Sequence, residues 1–235
     1  MDGIKLNEVE SRIKVFFKDK NLLQKALTHR SYLNENKDYN LPHNERLEFL
    51  GDAVLELLVT EFLFNKYPEE AEGILTSVRS AAVKTETLAE QSRNLGYGEY
   101  LLMSHGEEIT GGRDRDYILA NTFEAMLGAM YLDQGIDICR DFLEREHFPM
   151  VKDIMEGKSY VDNKSKLQEL AQEQYKLTPY YELMGEDGPD HDKEFTMGVK
   201  IGDKLYGTGK GKNKQTAEQE AADAAYNKIM KSLNK

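Results

Sequence analysis

From Leu6 to Phe148 the apolar residues return every three or four positions, as in Leu22, Leu23, Ala26 and Leu27 and again in Leu47, Leu50, Val54, Leu57 and Leu58. That is the period of amphipathic helices, and alternating β-branched runs are few. Breaks fall at Asn40-Leu-Pro-His43, Tyr67-Pro68, Gly96-Tyr-Gly98 and Gly111-Gly112, and Pro149 is expected to close the last helix of this block. Past Glu156-Gly-Lys-Ser159 the pattern changes. One amphipathic helix (Lys164 to Tyr175) precedes three strand-like alternations, at Tyr180 to Leu183, Glu194 to Ile201 and Lys204 to Gly209, and an Ala-rich helix runs from Thr216 to Lys231. The chain is therefore expected to be multidomain. An all-α domain spans 7–150, a linker 151–160, and a small α+β domain of order α-β-β-β-α spans 161–232.

Composition narrows the classes. The 235 residues are 40% hydrophobic and 31% charged, enough apolar chain for a real core and too much to be disordered. The longest apolar stretch, Ala53 to Phe64, is interrupted by Glu56 and Glu61, so no membrane span is expected. The N-terminus is acidic where an export signal needs a basic region, and Cys139 is the single cysteine, which together fit a reducing cytoplasm. Net charge is −11, unlike a protein that binds nucleic acid by bulk charge. The acidity is uneven. Residues up to Tyr160 carry 19 basic and 29 acidic side chains, whereas the remainder carries 12 and 13, with its lysines clustered late.

The acidic part contains a patterned set of carboxylates. Glu45, Glu48 and Asp52 follow at i, i+3 and i+7 and so lie along one face of a helix, amid Leu47, Phe49, Leu50 and Val54. Ionised carboxylates among apolar neighbours are costly unless something positive compensates them. A second segment, Tyr117 to Tyr131, is almost wholly apolar apart from Asn121 and Glu124, again at i and i+3. Two helices each offering an oxygen pair suit the all-oxygen, partly hydrated shell of Mg²⁺, with Mn²⁺ as a substitute. An ordinary solvated helix face is the plainer alternative for the first set. Gly51 and Gly128 would let the two helices approach closely, and Glu72, ahead of Gly73 in an expected loop, is a weaker outer acid.

These residues carry a resemblance. His43-Asn-Glu-Arg-Leu-Glu-Phe-Leu-Gly-Asp-Ala-Val-Leu55 resembles the signature segment of the ribonuclease III family, Ala26-Leu-Thr-His-Arg-Ser-Tyr32 its upstream motif, and Ile118-Leu-Ala-Asn-Thr-Phe-Glu-Ala-Met-Leu-Gly128 its second catalytic segment. The resemblance implies a helical nuclease domain followed by a double-stranded-RNA-binding domain. It also implies hydrolysis of duplex RNA to 5′-phosphate ends in the processing of ribosomal and other structured precursors. Carried over by position, it makes Asp52 and Glu124 the residues tied most directly to hydrolysis, and makes Glu48, Glu124, Asp52 and Asn121 metal ligands. Glu45 and Glu72 fall on outer acidic positions. It further implies a homodimer in which Phe49 packs into the partner, with Val54, Leu57 and Leu58 available to the same face. One position departs: Asn121 stands where the family usually has Asp, and an amide brings an oxygen but no charge. The alternative is a silent RNA-binding protein that keeps the nuclease fold as a dimer scaffold.

In the last segment, Lys210, Lys212 and Lys214 stand before and at the start of a helix, where their charge adds to the helix dipole and suits a phosphate backbone. With the preceding α-β-β-β order this resembles the double-stranded-RNA-binding domain. The resemblance implies groove contacts from Gln168, Glu169 and His191, and it places Asn213 in the phosphate-binding run, where the family usually shows a Ser-Lys-Lys sequence. Three other features are expected to be structural. Glu144-Arg-Glu-His147 reads as a surface feature rather than half of a di-iron site, His29 as a hydrogen-bonded packing residue, and Cys139 as a packed thiol.

Overall fold

The computed structural model describes residues 6–157, 163–189 and 193–233, and divides into two compact units, 1–160 and 161–235. The first is helical: α1 Leu6–Ile13, α2 Lys20–Ala26, α3 Tyr32–Glu35, α4 Glu45–Lys66, α5 Glu72–Ala82, α6 Thr85–Asn94, α7 Tyr97–Tyr100, α8 His105–Ile109, α9 Asp116–Gln134, α10 Ile136–Glu146 and α11 Phe148–Gly157. A 3₁₀ turn at Gly112–Asp114 leads into α9.

Helix α9 is the axis of this unit. Its residues from Ile118 to Met130 are buried apart from Asn121 and Glu124, which are only half-buried. A helix apolar on every side has to be enclosed by others. Its main partner is α4, and the contact is possible because Gly51 and Gly128 meet there. A Cβ on Gly51 would run into the carbonyl oxygen of Glu124, and one on Gly128 into that of Leu47. The start of α4 is pinned by Asn44, whose buried side chain donates to the Ala26 carbonyl at 3.2 Å while its backbone N–H donates to that of Thr28 at 2.9 Å.

Several expected boundaries move. Pro149 does not end a helix: it sits in the first turn of α11, where a missing N–H costs nothing. Residues 151–157, expected as linker, continue that helix and bury Val151 and Met155. Glu72 opens α5 and does not lie in a loop. His147 is wholly buried rather than a surface feature, with its ring 5.6 Å from that of Phe123. Cys139 is packed, and burial pushes its thiol up to about 12.

The second unit runs α12 Asn163–Tyr175, β1 Tyr180–Asp187, β2 Glu194–Ile201, β3 Lys204–Gly211 and α13 Lys214–Leu233. The three strands form one antiparallel sheet in the order β1-β2-β3. Leu167, Leu170 and Ala171 of α12 and Ala221, Ala222, Ala225 and Ile229 of α13 pack on Val199 and Ile201 of β2. Gly207, Gly209 and Gly211 alternate along β3 beneath α13, where any Cβ would strike the helix around Ala217 to Ala225. This glycine run is therefore a packing stripe that lets helix and sheet meet closely.

Candidate active site and RNA-binding surface

Glu45, Glu48 and Asp52 project from the first two turns of α4, and Asn121 and Glu124 from α9 opposite. The Gly51 contact brings the two sets together. Glu48 is half-buried and lifted above the usual carboxylate range, first by burial, then by the negative charge of Glu45 and Asp52. A hydrogen bond from the Asn121 side chain pulls it the other way. Glu124 is displaced furthest: burial, then the charges of Asp52 and Glu48, push its carboxyl up to about 8. The group therefore holds its proton at neutral pH while no positive charge is near, as expected of carboxylates forced into one site.

The donor set fits a hard divalent cation. Its members are all oxygen ligands, and no arginine or lysine is among the groups that shift Glu48 or Glu124. Among the described residues no three Asp, Glu, His or Cys side chains converge tightly enough to hold a metal by themselves. The Asn121 amide and oxygens from outside the chain would have to complete the shell, as partly hydrated Mg²⁺ allows.

A cavity of about 760 Å³ opens beside Glu48 and Asn121. Its wall adds Glu45, His29, Arg30, His43 and Glu107, so it carries both signs of charge. Arg30 Nη1 and His43 Nδ1 each lie 3.7 Å from a Glu45 carboxylate oxygen. His29 hydrogen-bonds Ser31 Oγ at 2.8 Å, and burial lowers its pKa against the opposing pull of Glu107. It is thus positioned as expected of a bonded packing histidine, yet it also faces the cavity. Arg30 and His43 lie within the quoted motifs but receive no role from sequence, because nothing local shows that they turn toward Glu45.

Other expected residues stand apart. Glu72 is exposed and accepts a 2.9 Å hydrogen bond from Thr76, and it is not among the groups that act on Glu48 or Glu124. On α4, Phe49 is 81% exposed and Leu57 59%, whereas Val54 and Leu58 belong to the core. The apolar face available to a partner is narrower than sequence implied.

In the second unit, Gln168 and Glu169 are exposed on α12. Lys210 is a β3 residue, and its ammonium is held by Glu194 at 3.0 Å. Asn213 caps α13, its Oδ1 accepting from the Thr216 N–H at 2.8 Å, so that oxygen serves the helix. Lys212 and Lys214 are exposed at the same helix start, with Lys214 Nζ 5.9 Å from the Phe195 ring centroid. His191 lies outside the described residues.

The comparisons agree with both units. Residues 19–151 match the Ribonuclease-III-like family, and residues 163–229 match the double-stranded RNA binding motif. Fold and site thus define a class, an endoribonuclease that carries a double-stranded-RNA-binding domain. Ribonuclease 3 of Clostridium botulinum strain Alaska E43 is 43% identical over 98% of this chain and 99% of its own. That of Pelotomaculum thermopropionicum is 45% identical over 97% and 93%. The nuclease domain of Campylobacter jejuni ribonuclease III superposes with a TM-score of 0.57 at 40% identity, covering 62% of this chain and 99% of that one. The chain belongs to the ribonuclease III family.

Proposed function

We propose that this chain cuts double-stranded RNA by attack of water on a phosphodiester, leaving 5′-phosphate ends, with Mg²⁺ as the natural cation and Mn²⁺ as a substitute. The observation that carries the reading is the coupling of Glu48, Asp52 and Glu124 across α4 and α9, with Glu124 raised to about 8. Glu48, Asp52, Asn121 and Glu124 would hold the cation, which when bound supplies charge neutralisation and polarises water and phosphoryl oxygen. The protein's own contribution is positional. Glu124 releases its proton as positive charge enters, and Asp52, exposed on the same face, is the carboxylate that incoming water meets first. Asn121 orients Glu48 through its amide. Glu45, paired with Arg30 and His43 and acting on Glu48 through its charge, serves as an outer acid, and Glu72 as a second outer acid at the head of α5.

The nuclease part is assigned to residues 7–150, with α11 continuing it to 157, and the RNA-binding part to 161–232. In the latter, Lys212 and Lys214, with a smaller share from Lys210, contact phosphates beside Asn213, and Gln168, Glu169 and His191 face the minor grooves. Two copies pair through Phe49, and the substrates are structured precursors such as those of ribosomal and messenger RNA. The site of action is the cytoplasm. Among the described residues no helix is long and apolar enough to cross a membrane.

An end-labelled duplex incubated with Mg²⁺, Mn²⁺ or chelator tests this. Native protein should cleave with either cation and not in chelator. Glu124→Ala should lower the rate by about 10³-fold or more while duplex affinity stays within a few-fold. Cleavage that persists in chelator, or in Glu124→Ala, removes the site from the chemistry.

A further inference from the structure

The carboxylate cleft has a neighbour. Helix α2, the one-turn helix α3 and the loop through residues 36–41 enclose a second cavity of about 440 Å³, a size typical of small-ligand sites. Helix α3 is the wall between the two: Leu33 and Asn34 line the cleft, while Tyr32 and Glu35 line the second cavity. Four residues make a helix only about 6 Å long, so a single helical turn separates the two cavities.

The lining has a definite chemistry. Four amide side chains, Asn21, Gln24, Asn36 and Asn40, face it. The rings of Tyr32 and Tyr39 meet edge to face, with centroids 5.1 Å apart and planes at 87°, and so form a right-angled aromatic corner. Tyr39 is fixed there by a 2.9 Å hydrogen bond between its hydroxyl and Thr28 Oγ1. The charged members are Glu35 and Asp38 against Lys37, and no arginine lines the cavity. A phosphate has little to hold it. A flat neutral heterocycle is better matched, because amides pair with base edges and aromatic rings with base faces. Asp38 is the acceptor to consider, since Glu35 already accepts the His105 N–H at 2.9 Å. The exocyclic amines of adenine, cytosine and guanine offer it two N–H donors, whereas uracil offers a single N3–H between two carbonyl oxygens that a carboxylate repels.

We propose that this cavity receives one unpaired nucleobase next to the cut and prefers a base with an exocyclic amine over uracil. The inference rests on the RNA-cleaving function proposed above. A paired base has its edge engaged, so the occupant comes from a bulge or a single-stranded flank of the duplex.

Three hairpins that differ only at the flank of the cut, fully paired or with one unpaired adenosine or uridine, test the assignment with native protein and with Asp38→Ala/Asn40→Ala. Both altered residues are exposed and outside the carboxylate cluster. In chelator the native protein should bind the adenosine hairpin about tenfold more tightly than the other two. The double variant should bind all three alike and keep the native kcat on the paired hairpin. An adenosine preference that is absent in the native protein, or that survives in the variant, overturns the proposal. If the double variant does not fold, Asp38→Asn, which keeps the shape and removes the charge, is read in the same way. Saturation-transfer NMR with free adenosine and uridine separates the two inferences. A chain that fails to cut duplex but binds adenosine through Asp38 and Asn40 refutes the nuclease function alone, whereas one that cuts duplex and shows no adenosine binding refutes the base site alone.

Discussion

Both units pair charge on their surfaces, and they differ in the ionisable groups that the helical unit adds beneath that layer. The helical unit buries ionisable groups: Glu124 beside Asp52 and Glu48, and His147 with only the Ala82 backbone opposing the effect of its burial. The small unit displays its charge and pairs much of it, with Lys210 on Glu194, Lys200 on Glu182 and Lys164 on Glu218. Buried and mutually repelling groups are costly to fold, and they bind an outside charge strongly because nothing inside the protein satisfies them. Displayed and paired lysines are cheap to fold, and each adds only a small increment to a polyanion's affinity. Chemistry is therefore expected from the first unit and grip from the second.

The sharpest way to break this contrast is to part the helices that create it. Gly51→Ala drives a methyl into the Glu124 carbonyl and should destabilise the helical unit by about 3 kcal/mol or more, with cleavage lost even where the protein still folds. Thermal melting and cleavage assays read both effects. A glycine stripe also seats α13 on β3, but there no catalytic group depends on the spacing.

The buried histidine gives the next largest effect. Burial lowers the His147 pKa to about 4, against a smaller opposing pull from the Ala82 backbone, while the unfolded chain keeps the ordinary value of 6.5. The unfolded state therefore binds more protons between these limits, and the stability that His147 permits is complete above pH 6.5 and is lost as pH falls toward 4. Urea unfolding should show roughly 2 kcal/mol less stability at pH 5 than at pH 7 from this group, a slope absent from His147→Leu. Equal slopes in the two proteins would show that the ring is already charged or hydrated in the fold.

Asn121→Asp sharpens the comparison in the other direction. It replaces the amide that donates to Glu48 with another carboxylate, raising repulsion in the empty site and attraction for a cation. The cation concentration for half-maximal cleavage should fall about tenfold, and an unchanged value would mean that residue 121 acts only through Glu48.

Lysine changes are expected to be smallest. Lys212→Ala and Lys214→Ala should each weaken duplex binding a few-fold and reduce the salt slope by about 1. Lys210→Ala should do less than Lys214→Ala, because the Lys210 ammonium is already held by Glu194. Filter binding across a salt series distinguishes them.

The helical period and the strand alternation are local properties of the chain, and the class of nearly every element was legible from them. Boundaries were less so. Pro149 punctuates a sequence strongly, but a proline in a helix's first turn removes no bond, so α11 runs through it. The alternation through Lys204 to Gly209 marks a strand, but nothing local says why Gly207, Gly209 and Gly211 lack side chains, because the helix that needs the space lies beyond them in sequence. Val54 and Leu58 could not be told from Phe49 and Leu57, since all four are apolar residues on one helix and only the packed neighbours decide which are covered.

Sequence alone determined which groups are candidates for chemistry or for binding: the i, i+3, i+7 carboxylates of α4, the Asn121 and Glu124 pair, and the lysines at the start of α13. Covalent order and helical pitch place such residues on faces, and that much is local. Tertiary structure alone decided that the faces of α4 and α9 meet, that burial and then the neighbouring carboxylates lift Glu124 to about 8, and that Asn121 bonds Glu48. It also decided that His147 is buried and that a tyrosine-cornered cavity adjoins the cleft. Burial and Coulombic coupling depend on distance through space, and that distance is fixed only once Gly51 and Gly128 have let two helices touch.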